Sequence, residues 1–117
     1  MNRRYLTTPI YYASGEPHLG HAYTTVLTDF LARYYRQTGA DVLFLTGTDE
    51  HGQKMQEAAA ERGIKPIELA DRMAERFEAA WKDLNISHDR FIRTTEGEHV
   101  GVVTAILERL WKKGQIY

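Results

Sequence analysis

Two histidines, His18 and His21, stand three residues apart at the start of a segment whose apolar residues follow helical spacing. At this spacing both imidazoles can lie on one face of the first helical turn. A helix N-terminus offers unpaired backbone N–H groups and positive potential, which suit a phosphate group. An imidazole at this place can donate hydrogen bonds to phosphate oxygens and stabilise the charge that develops during attack on a phosphoryl group. The alternative is that both histidines only cap the helix.

Gly20 lies between the two histidines, in the sequence Glu16-Pro17-His18-Leu19-Gly20-His21. Because glycine has no side chain, a flat ligand such as a nucleobase can lie against the backbone at this point. The segment follows a predicted strand, and ligands of open α/β sheets bind beyond the carboxyl ends of the strands. This position favours a nucleotide site over a capping role alone.

A second polar cluster, Thr46-Gly47-Thr48-Asp49-Glu50-His51-Gly52, follows the next predicted strand. Asp49 can hold an ammonium group, and His51 can contact a ribose or a phosphate. The alternative is the start of a helix, with Thr48 as the N-cap and the acids complementing the helix dipole.

Other site patterns are missing from the sequence. It contains neither the G-x-G-x-x-G dinucleotide motif nor a P-loop, and H-E-x-x-H does not occur. The sequence has no cysteine, and His18 and His21 have no further zinc ligands close by. We therefore predict no metal site in this chain.

The elements that must position these clusters follow from the spacing of apolar and turn residues. Strands are predicted over Tyr5–Tyr11, over Val42–Leu45 with Gly47 ending it, and over Arg90–Arg93. Helices are predicted from Leu19 to a stop at Gly39, from about Glu50 to Arg62, from Pro66 to a left-handed stop at Asn85, and from a Thr95/Glu98 capping box to Gly114.

The helical stripes predict where the core lies. The first helix carries Leu19, Ala22, Tyr23, Val26, Leu27, Phe30, Leu31 and Tyr34; the third carries Ile67, Ala70, Met73, Ala74, Phe77, Trp81 and Leu84; the fourth carries Val100, Val103, Ile106, Leu107, Leu110 and Trp111. We expect Phe77, Trp81 and Trp111 to lie in the core rather than to stack on bases. Met55 and Met73 are interpreted as residues that fill gaps in the core.

Strands that alternate with helices predict an α/β fold with a Rossmann-like, doubly wound parallel sheet. The length of 117 residues fits one domain, residues 1–117, and the formal net charge of −1 argues against a strong nucleic-acid clamp. The sequence has no secretory signal or membrane-spanning run, and its lack of cysteine fits a cytoplasmic location. The final residues, Gly114–Tyr117, are typical of the start of another strand, which suggests a piece of a longer protein.

Taken together, the two clusters resemble a known family. H-L-G-H is similar to the H-I-G-H signature of class I aminoacyl-tRNA synthetases, with Leu19 in place of isoleucine. The longer stretches T-T-P-I-Y-Y-A-S-G-E-P-H-L-G-H, F-L-T-G-T-D-E-H-G and F-I-R-T-T-E resemble the methionyl-tRNA synthetase family in its bacterial form. The resemblance covers essentially the whole chain and implies the first half of a Rossmann-fold catalytic domain.

The resemblance implies that the complete enzyme activates methionine with ATP and Mg²⁺ to methionyl-adenylate and transfers it to methionine tRNA. His18 and His21 match the catalytic pair that contacts ATP, and Gly20 matches the glycine under the adenine. Asp49 matches the carboxylate that binds the α-ammonium of methionine, and His51 belongs to the same motif. Ile10 and Tyr12 match side chains that line the methionine pocket.

The sequence also departs from the family pattern. The second signature, K-M-S-K-S, is missing, and Lys112-Lys113 does not match it. The inserted domain with its zinc site and the anticodon-binding domain are missing as well. Two alternatives therefore stay open: a non-catalytic nucleotide-binding fragment, or another nucleotidyl transferase with an H-x-G-H loop. An exposed sheet edge would also allow the fragment to self-associate.

Overall fold

The computed structural model describes residues 2–117, which form a parallel β-sheet with helices packed against it. The strands are β1 (Arg3–Thr7), β2 (Tyr11–Tyr12), β3 (Asp41–Asp49) and β4 (Arg90–Arg93). The helices are α1 (Leu19–Gln37), α2 (Gln53–Glu61), α3 (Pro66–Asp83) and α4 (Gly97–Lys112). The predicted parallel α/β arrangement and the predicted order of elements are confirmed, except that the first strand is divided.

β3 is the central strand and pairs with the other three in parallel. Leu45 has Thr7 of β1 as its partner on one side and Arg90 of β4 on the other. Further along, Thr48 lies between Tyr11 of β2 and Arg93 of β4. Since β4 pairs with the same edge of β3 at both positions, β1 and β2 both pair with the opposite edge of β3.

The predicted single strand over Tyr5–Tyr11 is therefore wrong in detail, because it is interrupted between β1 and β2. Pro9 lies in the gap and has no backbone N–H to donate to β3. Thr8 still donates its N–H to the Leu45 carbonyl at 3.1 Å, and the Thr8 and Thr46 hydroxyls are 2.7 Å apart. The interruption is thus a local break in one edge rather than a change of direction.

The prediction that Gly47 ends the second strand is also wrong, since β3 continues to Asp49. Gly47 pairs with Ile92 of β4, and a Cβ at Gly47 would overlap the Ile92 backbone oxygen. The glycine therefore permits close approach of the two strands. α2 accordingly begins only at Gln53, and its N-cap is Gly52 rather than Thr48.

One part of the core lies where Tyr11 of β2 meets α3. Phe44 of β3 and the α3 residues Phe77 and Trp81 are fully buried, and Tyr11 packs against both aromatic rings of α3. A second cluster joins α2 to α3 through Met55, Ala59, Leu69, Ala70 and Met73. The predicted core positions of Phe77, Trp81, Met55 and Met73 are confirmed.

α1 packs against the sheet differently from the prediction. Its buried residues are Thr25, Asp29 and Ala32, whereas most of the predicted apolar stripe is exposed. The exposed members are Leu19, Tyr23, Val26, Leu27, Phe30, Leu31 and Tyr34. α1 thus has one face of small and polar residues and one face of apolar residues. Within this chain the small, polar face meets the sheet.

A polar clamp holds α1 to the loop before β4. Asp29 accepts hydrogen bonds from the Ser87 N–H at 2.7 Å and from Arg33 Nε at 2.7 Å. Hydrogen bonds from Ser87 and Arg33 outweigh the effect of desolvation, so the pKa of Asp29 is lowered. Arg36 pairs with Asp89, which also accepts the Phe44 N–H. The clamp thereby links α1, the loop and β3.

α4 packs against the rest of the chain far less than predicted. None of its residues is buried, and Trp111 is 69% exposed, so the predicted core position of Trp111 is wrong within this chain. The Thr95/Glu98 capping box is also wrong, because the N-cap is Glu96 and forms no side-chain cap. Thr95 instead donates its hydroxyl to the Glu50 carboxylate.

Within residues 2–117, no helix has both the length and the apolar character that a membrane span requires.

We predict that Gly47→Ala lowers the free energy of unfolding by roughly 1–3 kcal/mol or more, because the new methyl group must displace β4. Gly101→Ala is the control, since its Cβ would meet open space in α4 and should raise helix stability by up to ~1 kcal/mol. Urea unfolding midpoints of the two variants measure this difference. Equal midpoints would show that β3 and β4 separate without cost.

Candidate active site

The histidine pair forms the N-terminus of α1. His18 is the N-cap, and its Nδ1 accepts the Gly20 N–H at 3.0 Å. In return, His21 Nδ1 accepts the His18 N–H at 3.3 Å, which completes a reciprocal capping box. The two rings stack with their centroids 3.7 Å apart. The predicted shared face is confirmed, and the capping role is present as well.

This capping determines which nitrogen of each neutral ring carries the proton. A ring nitrogen that accepts a backbone N–H carries no proton, so each neutral imidazole has its proton on Nε2. Both Nε2–H groups are then available as donors. Partial burial, and secondarily the neighbouring His18, lower the pKa of His21 below its ordinary value. His21 is therefore suited to donate a hydrogen bond as a neutral imidazole, and His18 Nε2 lies on the ring stacked beside it.

Aromatic packing holds the His21 ring in place. Its centroid lies 4.6 Å from that of Tyr11 and 5.2 Å from that of Phe77. The Tyr11 hydroxyl is itself held by the hydroxyls of Thr24 at 2.6 Å and Thr25 at 2.8 Å. His21 is thus fixed by the same residues that attach α1 to β2 and α3.

Gly20 has a local reason to be glycine. A Cβ at this position would lie 2.9 Å from His18 Cε1, which is closer than carbon atoms ordinarily approach. The residue therefore leaves room for the capping ring of His18. Its expected contact with a nucleobase remains a prediction.

Asp49 is the last residue of β3 and lies opposite Tyr12 of β2. Its carbonyl accepts the Ala13 N–H at 3.1 Å, so its backbone is anchored. Among residues 2–117, no side chain or backbone group hydrogen-bonds to its carboxylate. An anchored backbone with a free carboxylate suits the binding of a cationic ligand.

The structure brings the histidine pair and Asp49 to one end of the sheet. Both β2 and β3 end there, and α1 begins shortly after β2. Side chains alternate along strands, so Tyr11 and Thr48 share the face that meets His21, whereas Tyr12 and Asp49 share the opposite one. A ligand touching both groups would therefore straddle the end of the sheet.

The remaining predicted residues lie near the same end. Ile10 precedes β2 and is 38% exposed, and Tyr12 is 63% exposed. Tyr12 and His51 line a cleft of about 490 Å³ with Ser14 and the first turn of α2. His51 Nε2 donates to the Thr94 carbonyl at 3.2 Å, so this ring is partly committed to the fold.

A buried ionic network next to Asp49 was not predicted from the sequence. The Glu50 side chain is fully buried and accepts hydrogen bonds from Thr48 Oγ1 and Arg93 Nε, each at 2.7 Å, and from Thr95 Oγ1. Arg93 also pairs with Asp71 of α3 at 2.6 Å. Hydrogen bonding to Glu50 is the main cause that raises the pKa of Arg93. The available signal was an acid in the polar cluster that follows one predicted strand and an arginine at the end of another.

Within residues 2–117, no group of three or more histidine, aspartate or glutamate side chains could hold a metal ion.

Comparisons with known proteins agree with this geometry. The family profile described as "tRNA synthetases class I (M)" matches residues 4–117. Two curated methionine–tRNA ligases, from Clostridium tetani and Listeria monocytogenes, are 54% and 56% identical over 100% and 99% of this chain. The chain spans 19% and 18% of their respective lengths.

Solved structures give the same result. The Mycobacterium tuberculosis methionyl-tRNA synthetase in complex with methionyl-adenylate matches with a TM-score of 0.95 and 45% identity, over 97% of this chain and 22% of that one. A leucyl enzyme, the Agrobacterium radiobacter LeuRS in a ternary complex with tRNA and LeuAMS, matches with a TM-score of 0.90 and 25% identity. This match covers 97% of this chain and 15% of the leucyl enzyme.

The fold is therefore the Rossmann-like fold of a class I aminoacyl-tRNA synthetase catalytic domain, as predicted. Within that class, the chain belongs to the methionyl-tRNA synthetase family.

We predict that the pKa of His21 lies below that of the same histidine in the urea-unfolded chain. Because the folded pKa is lowered, His21 adds stability above its unfolded pKa and loses it as the pH falls through the folded pKa. In His18→Asn, asparagine still caps the helix but carries no charge, so the pKa of His21 should rise without reaching the unfolded value. Histidine NMR titration measures both values. An unchanged pKa in His18→Asn would contradict the role of its neighbour's charge.

Proposed function

We propose that the chain supplies the amino-acid activation site of a methionine–tRNA ligase, which joins methionine to ATP as methionyl-adenylate and then transfers it to methionine tRNA. The observation that carries the proposal is the pairing at one sheet end of two Nε2–H donors with a free carboxylate. The relatives and the adenylate-bound neighbour support it. The proposal includes the cytoplasmic location expected from the sequence.

In this proposal, His18 and His21 bind ATP and act as the catalytic pair. Attack of the methionine carboxylate on the α-phosphorus forms the new P–O bond, and pyrophosphate leaves with the electrons of the broken P–O bond. Negative charge then grows on the oxygens of the five-coordinate phosphorus. Fixed donors stabilise this charge without having to reorganise, which lowers the barrier. Mg²⁺ enters with ATP as part of the substrate.

Asp49 acts in the proposal on the other substrate. Its free carboxylate holds the α-ammonium of methionine, while the exposed side chains of Ile10 and Tyr12 line the pocket for the thioether chain. His51 lies at the margin of this pocket and Gly20 under the adenine. Attachment to the sheet keeps these groups in position, so the chain orients both substrates and forms no covalent intermediate.

We predict that His21→Ala and Asp49→Asn affect different steps in a full-length synthetase carrying this segment. His21→Ala should slow adenylate formation by about 10²–10³-fold with little change in methionine affinity, because it removes a donor aimed at transition-state charge. Asp49→Asn should instead weaken methionine binding, since the ammonium loses its charged partner.

ATP–pyrophosphate exchange and methionine titration measure the two effects. His99→Ala in α4 is the histidine control and should leave both values unchanged. If His21→Ala altered only methionine affinity, the proposed contact between His21 and phosphate would be wrong.

We also propose that the 117-residue chain alone lacks full aminoacylation and self-associates. The outer edges of β1 and β4 have no strand partner among residues 2–117, and the α1 stripe exposes Tyr23, Val26 and Phe30 to solvent. Sedimentation velocity should show oligomers at micromolar concentrations. If the stripe rather than the edge drives association, Phe30→Glu should restore monomers. A monomeric parent chain would contradict the proposal.

A further inference from the structure

The buried carboxylate of Glu50 lies next in sequence to the proposed ammonium-binding residue, Asp49. A fully buried charge is retained only when it is paired and hydrogen-bonded, because its desolvation is otherwise very costly. Glu50 meets this condition with the Arg93 guanidinium and two threonine hydroxyls. Its backbone N–H also donates to Thr94 Oγ1 at 2.9 Å. The backbone and the side chain of Glu50 are therefore both held in place.

These contacts join three elements next to the rim, which is the end of the sheet at which β2 and β3 end. Thr48 belongs to β3, Arg93 to β4, and Arg93 continues to Asp71 of α3. The Thr94 N–H donates to the Thr48 carbonyl at 3.3 Å, so the two strand ends are also joined through the backbone. Asp49 lies between the anchored residues Thr48 and Glu50. The backbone of Asp49, and with it the direction of its Cα–Cβ bond, is thereby held from both sides.

From these contacts we infer that Glu50 is a positioning residue for Asp49, held by Arg93, and that it sets the affinity for the ammonium group of the amino-acid substrate. The inference rests on the proposed function of Asp49. Glu50 itself touches no substrate, because its side chain is fully buried. It acts by holding the backbone that carries Asp49, which lowers the cost of ordering the free carboxylate when the ligand binds.

The experiment compares two ligands in a full-length synthetase carrying this segment. One is L-methionine, and the other is 4-(methylthio)butanoate, which has hydrogen in place of the α-ammonium. Isothermal titration should show that Glu50→Gln raises the Kd of methionine by about tenfold, or 1.4 kcal/mol, because the backbone that carries Asp49 is less firmly held. The Kd of the analogue and the Kd of ATP should stay within about twofold, since neither ligand uses Asp49.

A double-variant cycle tests whether Glu50 acts through Asp49. Asp49→Asn should weaken methionine binding, and adding Glu50→Gln should then cause no further loss, because residues that act through one contact are not additive. Additive losses would overturn the inference. Unchanged binding in Glu50→Gln beside weakened binding in Asp49→Asn would overturn it while the proposed function stands. Unchanged binding in Asp49→Asn would overturn the ammonium role itself.

Two further variants separate positioning from general loss of stability. Asp29→Asn weakens the clamp between α1 and the loop before β4, so it should lower Tm with no change in the Kd of methionine. Thr95→Ala removes one hydroxyl donor from Glu50 and leaves the Arg93 pair in place, and Thr95→Ser restores that donor. Thr95→Ala should raise the Kd of methionine in the same selective way, and Thr95→Ser should rescue it. Equal loss of both ligands in Thr95→Ala or in Glu50→Gln would assign Glu50 a purely structural role.

Discussion

Parallel pairing of β3 along both of its edges is the constraint on which the rest of this structure depends. The β1–β2 edge pairs with it on one side and β4 on the other, so three chain segments end at the same rim. The turn that leads to α1, the turn that leads to α2 and the turn that leads to α4 all leave from this rim. Residues far apart in sequence are thereby brought to one surface without any direct bond between them. A substitution that separates the strands, such as a side chain at Gly47, would act on the whole site at once.

Polar contacts stabilise the rim, together with the aromatic packing around His21. His18 and His21 cap α1 reciprocally, Asp29 attaches the middle of the same helix to the loop before β4, and Glu50 ties β3 to β4. The carboxylates of Asp29 and Glu50 lie where water is largely excluded, whereas the histidine cap is more exposed. Such groups are costly when unpaired, so they favour one arrangement of the chain over others. At the rim itself, the histidine cap and the Glu50–Arg93 pair give the site the rigidity that the proposed orientation of two substrates requires.

The apolar surfaces of α1 and α4 contrast with this well-ordered rim. Phe30 is 65% exposed and Trp111 is 69% exposed, and both belong to stripes with helical spacing. The chain spans about a fifth of the curated relatives that it matches. In this chain the polar face of α1 packs against the sheet, and the apolar stripe on the other face is exposed to solvent. A stripe pattern indicates that a helix has an apolar side, but it does not say which neighbour covers that side.

Local spacing was enough to predict several parts of the molecule. The strand Arg90–Arg93, the left-handed stop at Asn85, the α3 stripe with Phe77 and Trp81, and the pairing of His18 with His21 all follow from contacts within a few residues. The tertiary structure alone decided the features that need distant partners. Pro9 interrupts the first strand because it lies beside β3 and has no backbone N–H to donate to it. Gly47 stays in β3 because the Ile92 carbonyl approaches it too closely for a side chain. Thr95 serves Glu50 instead of capping α4, and Glu50 is buried because Arg93 arrives from another strand. A sequence pattern reports the preferences of neighbouring residues, whereas burial and charge pairing depend on which strands lie side by side.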